Sequence, residues 1–353
     1  MSFREDHIGE ESRLFVEKNV LGYQLDYHPA RTRRFRFGTW QSLAYLSLWI
    51  SFIFWFPIIH ASQHATNILI IKSSSESYYN QVINQIKQRL DDYCTSHETA
   101  CNNIEVQSYT SNESKSVYQQ YDLVITLGLK ARHYADRYLA QAKTINAMIP
   151  RLSMTGEGTS IPTDQKYTII LDQPFVRSLY LIRKIIHPAN RVGLLLSAQN
   201  QGDLAALSKE AEISGLTLVT EFIEQENDIG RKLSQLLDNI DVLLALPDMM
   251  IYNRNTVSQI LLSSYRKNIP VIGYSAAYVK AGALAAVYSS PEDIGNDIGL
   301  IVTQYLEQKK LPSGSSFPRF FSVSVNKKVG ASLGIQVYPK PEEIVSYIKD
   351  NTK

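Results

Sequence analysis

The sequence predicts an α/β chain of two Rossmann-like lobes, each built on a parallel sheet, joined by a hinge and preceded by an apolar N-terminal helix. Three observations carry this. Short apolar runs alternate with segments of helical spacing along most of the chain, the signature of repeated βαβ units. The alternation goes round twice, in consecutive stretches of similar size, and 353 residues are ample for two hydrophobic cores. The runs end in Ser, Gly, Asn, Asp or Tyr, the small and polar residues expected where an open α/β sheet meets its ligand.

The first round opens with the apolar strand from Asn67 to Lys72 and a serine loop, Ser73-Ser74-Ser75. Val82, Ile83, Ile86 and Leu90 then recur at helical spacing. Further strands are expected at 104–106, 121–128, 145–149 and 166–171. The second round follows Asp172-Gln173-Pro174 with a helix over 175–186 and a strand over 191–196. The polar turn Ser197-Ala198-Gln199-Asn200 leads into a helix closed by Gly215. Strands over 216–221 and 241–246 flank a helix over 229–237, and the second strand ends in Pro247-Asp248. A helix over 255–267 delivers the chain to Pro270-Val271-Ile272-Gly273, a short buried strand ending in Tyr274 and Ser275. Ser290 is placed to cap the next helix, with Pro291 at its first position and Glu292 and Asp293 at the positive end of its dipole. That helix runs to about 308, a turn follows at 311–314, and apolar segments return at 320–326 and 329–335.

Composition excludes several classes. The formal net charge is +2, which gives no general case for nucleic acid. No phosphate-binding loop of the Gly-Lys-Ser/Thr type is present, so the chain is not a transport ATPase, and Gly128 lacks the further glycines of a dinucleotide loop. Gly273-Tyr274-Ser275 has the look of a nucleophile elbow, but no histidine follows His187, so a hydrolase triad in that order cannot be completed. No enzyme, cofactor or metal site is expected.

The arginines Arg31, Arg33, Arg34 and Arg36 stand before an uncharged apolar stretch running from Leu43 to Ile59. That arrangement predicts a cytoplasmic N-terminus and an exported remainder. The stretch reads either as a signal cleaved near Ala61 or as a retained anchor in the inner membrane. Residues 1–42 form a cytoplasmic or leader extension and 43–61 the signal or anchor. In an oxidising compartment Cys94 and Cys101, close in sequence, are expected to form a local disulfide.

From Pro270 to Gly299 the order is strand, hydroxyl turn, Gly282-Ala283-Leu284-Ala285, then Asp297-Ile298-Gly299 on a helix. This, with Ser153-Met154-Thr155-Gly156 and the tail Asn326 to Leu333-Gly334-Ile335, resembles the substrate-binding proteins of ABC transporters with the type I periplasmic-binding fold, the tryptophan- and tyrosine-type members included. The resemblance implies a hinge of returning segments, with 66–171 and about 291–318 in lobe 1, and 172–290 and about 319–350 in lobe 2. It implies a periplasmic protein that binds a small molecule between the lobes, an aromatic or branched amino acid being one candidate, and passes it to an ABC permease. The alternative is a membrane-anchored sensing module coupled to a signalling partner. Candidate ligand contacts at strand ends are Ser74, Ser75, Gly128, Leu129 and Thr155 in the first lobe. In the second they are Gln199, Asn200, Asp248, Tyr274 and Ser275.

Overall fold

The computed structural model describes residues 66–97, 104–111, 121–151 and 165–352. The apolar stretch from Leu43 to Ile59, Thr155 and Cys101 lie outside the described residues. Among the described residues no helix is long and apolar enough to cross a membrane.

The first lobe is a six-stranded sheet in the order β11-β5-β4-β3-β1-β2. Its strands are β1 (Thr66–Lys72), β2 (Ile104–Thr110), β3 (Leu123–Leu127), β4 (Thr144–Ile149), β5 (Lys166–Ile170) and β11 (Gly314–Ser316), paired in parallel throughout. Parallel pairing needs a cover on both faces, and β1 shows how the sequence supplies it. Ile68 and Ile70 point into one core with Val82, Ile83, Ile86 and Leu90 of α1 (Ser77–Ser96). Leu69 and Ile71 point to the opposite face, against Ala131 and Ala135 of α2 (Leu129–Tyr138). The alternation of period two thus feeds two cores, and every residue of the strand's apolar run is buried.

The second lobe repeats the plan with the order β12-β10-β9-β8-β6-β7. The strands are β6 (Arg191–Ser197), β7 (Thr217–Ile223), β8 (Val242–Leu244), β9 (Val271–Gly273), β10 (Ala285–Tyr288) and β12 (Ser322–Val325). All pair in parallel except β12, which runs antiparallel along β10. Its helices are α3 (Phe175–Ile185), α4 (Leu204–Ile213), α5 (Ile229–Leu237), α6 (Val257–Arg266), α7 (Ala276–Ala281), α9 (Lys327–Ser332) and α10 (Pro341–Asn351).

Some expectations are revised. The turn expected at 311–314 leads directly into the polar edge strand β11. The short helix α7 occupies a stretch that carries no helical period in the sequence, started by the Ser275 hydroxyl, which accepts the Tyr278 N–H at 3.2 Å.

The chain passes between the sheets three times: after β5, after β10, and between β11 and β12. The second passage leads into α8 (Pro291–Gln308), whose Ile294, Ile298, Ile301 and Val302 complete the first lobe's core. Ser290 caps its start as expected, and with Asp293 it forms a full capping box, with Pro291 in the first turn. Gly295 lets α8 lie close on α1, since a Cβ there would stand 2.5 Å from the Gln85 Cβ.

Candidate functional site

Leaving aside the edge strands, each sheet has the doubly wound order 2-1-3-4-5, which reverses beside its first strand. Ligands of such folds sit at the carboxyl ends of the strands flanking that reversal. In the first lobe the flanking strands are β1 and β3; in the second they are β6 and β8.

At the first switch point Ser73 follows β1 and Gly128 follows β3. The Ser73 N–H donates to the Leu127 carbonyl at 3.0 Å, and its Oγ accepts the Ala131 N–H of the first turn of α2 at 3.1 Å. Gly128 has φ +89, and a Cβ there would lie 2.6 Å from the Ser73 Oγ and 2.9 Å from the Tyr79 Oη. Glycine is required twice over, by the backbone and by space. Of the residues singled out in the sequence, Gly128 is buried at this point, Leu129 and Ser74 are half-buried and Ser75 is exposed. The serine that closes the switch point is Ser73. It lies next to the strand, and sequence alone does not distinguish it from its two neighbours.

The second switch point is built around a carboxylate. Asp248 is 5% exposed. Its Oδ2 accepts the Ser197 N–H at 3.2 Å and the Asn200 Nδ2–H at 2.9 Å, and its Oδ1 accepts the Met250 N–H at 3.0 Å. Asn200 also donates to the Ser197 Oγ at 2.8 Å. The structure therefore brings Asn200 and Asp248 together, with Ser197 as the third member that sequence reading passed over. Gln199 lies in the same 3-10 segment, Ala198–Asp203. Beside it Tyr252, Tyr274 and Tyr278 pack on one another with ring centroids 5.1–6.4 Å apart. Tyr274 donates from its hydroxyl to the Tyr252 carbonyl at 3.3 Å. Burial raises all three phenols above their ordinary pKa, with the Asp248 carboxylate adding to the rise at Tyr252 and Tyr274. They are neutral aromatic surface, half-open at Tyr274. Ser275 spends its side chain on the α7 cap.

The three passages between the lobes are tied to each other by side chains. Gln173, on the first, donates from Nε2 to the Ser289 Oγ of the second at 2.8 Å, and Ser289 donates to the Phe320 carbonyl of the third at 2.9 Å. Arg177 donates from Nη1 to the Gln173 Oε1 and to the Pro318 carbonyl, and lies over the Phe321 ring. From α8, Asp297 accepts the N–H groups of Arg319 and Phe320 at 2.9 and 3.2 Å, and Asp293 accepts the Ser322 hydroxyl at 2.7 Å. Burial pushes the Asp297 carboxyl up to about 6, against the opposing pull of those two N–H donors.

A separate groove of about 350 Å³ lies between α1 and the start of α8, lined by the carboxamides of Gln81, Asn84, Gln85 and Gln88. None of the switch-point residues lines it. Among the described residues no cluster of His, Cys, Asp and Glu is arranged to hold a metal ion. Cys94, in the last turns of α1, is not a free thiol.

The model of the ABC transporter substrate binding protein family matches residues 172–349, half of the chain. Among solved structures, a ligand-free, open substrate-binding protein with adhesive properties from Clostridium difficile superposes with a TM-score of 0.63 at 16% identity, covering 79% of this chain and 97% of that one. An ABC domain from Streptococcus pneumoniae in complex with L-Trp gives 0.51 at 19% identity, with 79% and 98% covered. A conserved domain protein from Vibrio cholerae gives 0.53 at 15%, with 80% and 98% covered. These structures share the fold. No curated protein sequence matches the chain.

Proposed function

The chain belongs to the ABC transporter substrate-binding protein family, and from that premise we propose that it holds a small molecule between its lobes, at the two switch points, and closes on it by bending at the three passages. The observation that carries this is the pairing of two sheets of the same winding, one with a serine hydroxyl at its reversal and the other with hydroxyl, amide and carboxylate groups, across three passages of chain. The reading involves no covalent step.

The ligand class we favour is an amino acid with an aromatic or branched side chain. Tyr274 supplies half-open aromatic surface beside the polar Ser197–Asn200–Asp248 group. The start of α2, next to Gly128, suits a carboxylate, because the helix dipole is positive there. The related fold that carries L-Trp supports the same class. Delivery to an ABC permease from the periplasm is the matching role. Retention of the stretch from Leu43 to Ile59 as an anchor would favour a sensing module instead. We read the Cys94–Cys101 pair as a disulfide that closes the loop after α1.

Thermal unfolding of the full-length protein with each amino acid, nucleosides, sugars and short peptides tests the reading. A ligand at a hundred times its dissociation constant adds about 2.7 kcal/mol. The expected result is a shift with L-Trp or another apolar amino acid that Tyr274→Ala reduces. A shift with sugars alone would overturn the ligand class, and no shift with any of them would overturn binding of these solutes.

A further inference from the structure

Beyond the hinge, one ion pair bridges the lobes. Arg151 stands just past the end of β4 in the first lobe, and Asp203 ends the 3-10 segment after β6 in the second. The Arg151 Nη2 donates to the Asp203 Oδ2 at 2.8 Å. Of the ion pairs between described residues, this alone joins the two sheets' lobes.

Both ends are held. The Arg151 N–H donates to the Asp172 Oδ2 at 2.7 Å, which pins the arginine to the start of the first passage. Just before it, β4 breaks register between Ala147 and Ile149, with Met148 at φ 61. The bulge puts Ala147 and Met148 on the same face, into the same core, and so changes the direction in which the chain leaves the sheet. A non-glycine residue in that conformation costs free energy that the surrounding fold must supply. At the other end, Asp203 shares its 3-10 segment with Asn200, whose amide is bonded to Asp248 and Ser197. The carboxylates of Asp172 and Glu210 also act on the guanidinium, so it faces three acids.

We propose that Arg151 and Asp203 form a latch between the lobes, setting the balance of open and closed forms and tying it to the second switch-point loop. It acts with or without a ligand between the lobes, so its test needs none. Both side chains are near 40% exposed (40% and 36%), which places the pair among those that salt weakens.

The experiment is a distance measurement between spin labels at Lys130→Cys and Ala277→Cys in the full-length protein. Both positions are exposed, at the starts of α2 and α7 on opposite lobes. Asp203→Asn and Arg151→Gln should each lower the ratio of short to long distances about two- to five-fold, the effect of one such pair. The exchange Arg151→Asp with Asp203→Arg should recover only part of the ratio, because Asp172 and Glu210 repel the new carboxylate at 151. Raising salt should lengthen the distances in the parent protein and move Asp203→Asn much less, since only the weaker attraction of Glu210 remains across the lobes there. Circular dichroism of each variant confirms that the lobes remain folded. Single variants with the parent's distances would overturn the latch. So would salt lengthening Asp203→Asn as much as the parent.

Discussion

The two switch points share a winding and differ in how they are filled. The first is spare: one hydroxyl, Ser73, receives a helix N–H, and Gly128 lets it and the Tyr79 hydroxyl pack close against the backbone. The second is crowded: a buried carboxylate takes three N–H donors, and three tyrosines pack alongside. The same topology has been closed once by removing atoms and once by adding charge. The second switch point is braced by a buried charge, and the first by close packing on a glycine.

The largest break in that contrast is Asp248→Ala. Removing the carboxylate strands the Ser197, Met250 and Asn200 donors in a site that water scarcely reaches, at a cost of about 3–5 kcal/mol. Asp248→Asn should lose less, because its amide oxygen can keep the Ser197 and Asn200 donors while its N–H faces the Met250 N–H. Calorimetric unfolding checks both. A loss under 1 kcal/mol would mean that the second switch point is no better braced than the first.

Gly128→Ala attacks the first lobe by the opposite route, adding one methyl. The positive φ and the approach to the Ser73 Oγ together should cost about 1–3 kcal/mol. Combining it with Ser73→Ala relieves the contact and leaves the backbone strain, so the pair should lose less than the sum of the single changes. Strict additivity by denaturant titration would show that the methyl and the hydroxyl never meet.

How much of this was legible follows from how local each signal is. Ser290, Pro291 and Asp293 act within one helical turn, and the sequence places all of them correctly. The apolar strands are legible too, since burial on both faces leaves a continuous run. The polar edge strand β11 has no such run, and the antiparallel course of β12 depends on the neighbour it meets. Which of Ser73, Ser74 and Ser75 closes the first switch point depends on where β1 stops pairing with β3, which no neighbouring residue fixes. The partners Arg151 and Asp203 are separated by 52 positions and by a change of lobe, so nothing in either segment announces the other.

The hinge stands between the two switch points and adds a pH term of its own. Asp297 has its carboxyl raised from 3.8 to about 6 by burial. A carboxyl that holds its proton more tightly when folded favours the fold at low pH, and that contribution is lost as pH rises from about 4 to about 6. Asp172 and Glu210, also raised by burial, act in the same direction. Asp297→Asn should remove the steepest part of this slope and stabilise the protein near neutral pH by about 1–3 kcal/mol, less whatever its contacts to Arg319 and Phe320 contribute. Melting curves between pH 4 and pH 8 check it. A slope unchanged in the variant would place the titration elsewhere.

The smallest effect separates a cap from a ligand contact. The Ser275 hydroxyl receives the Tyr278 N–H at the start of α7, much as Ser73 receives that of Ala131 at the start of α2. Ser275→Ala should cost about 1 kcal/mol of stability through the lost cap. The extra stabilisation produced by ligand should then be the same in Ser275→Ala as in the parent, because the hydroxyl is already engaged. Ser73→Ala should cost a similar amount, yet Ser73 holds the start of α2, where the ligand carboxylate is proposed to sit, so there the ligand-induced shift should fall as well. Equal ligand responses in both variants would erase the distinction between the two hydroxyls, and with it the idea that the first lobe's spareness serves the ligand.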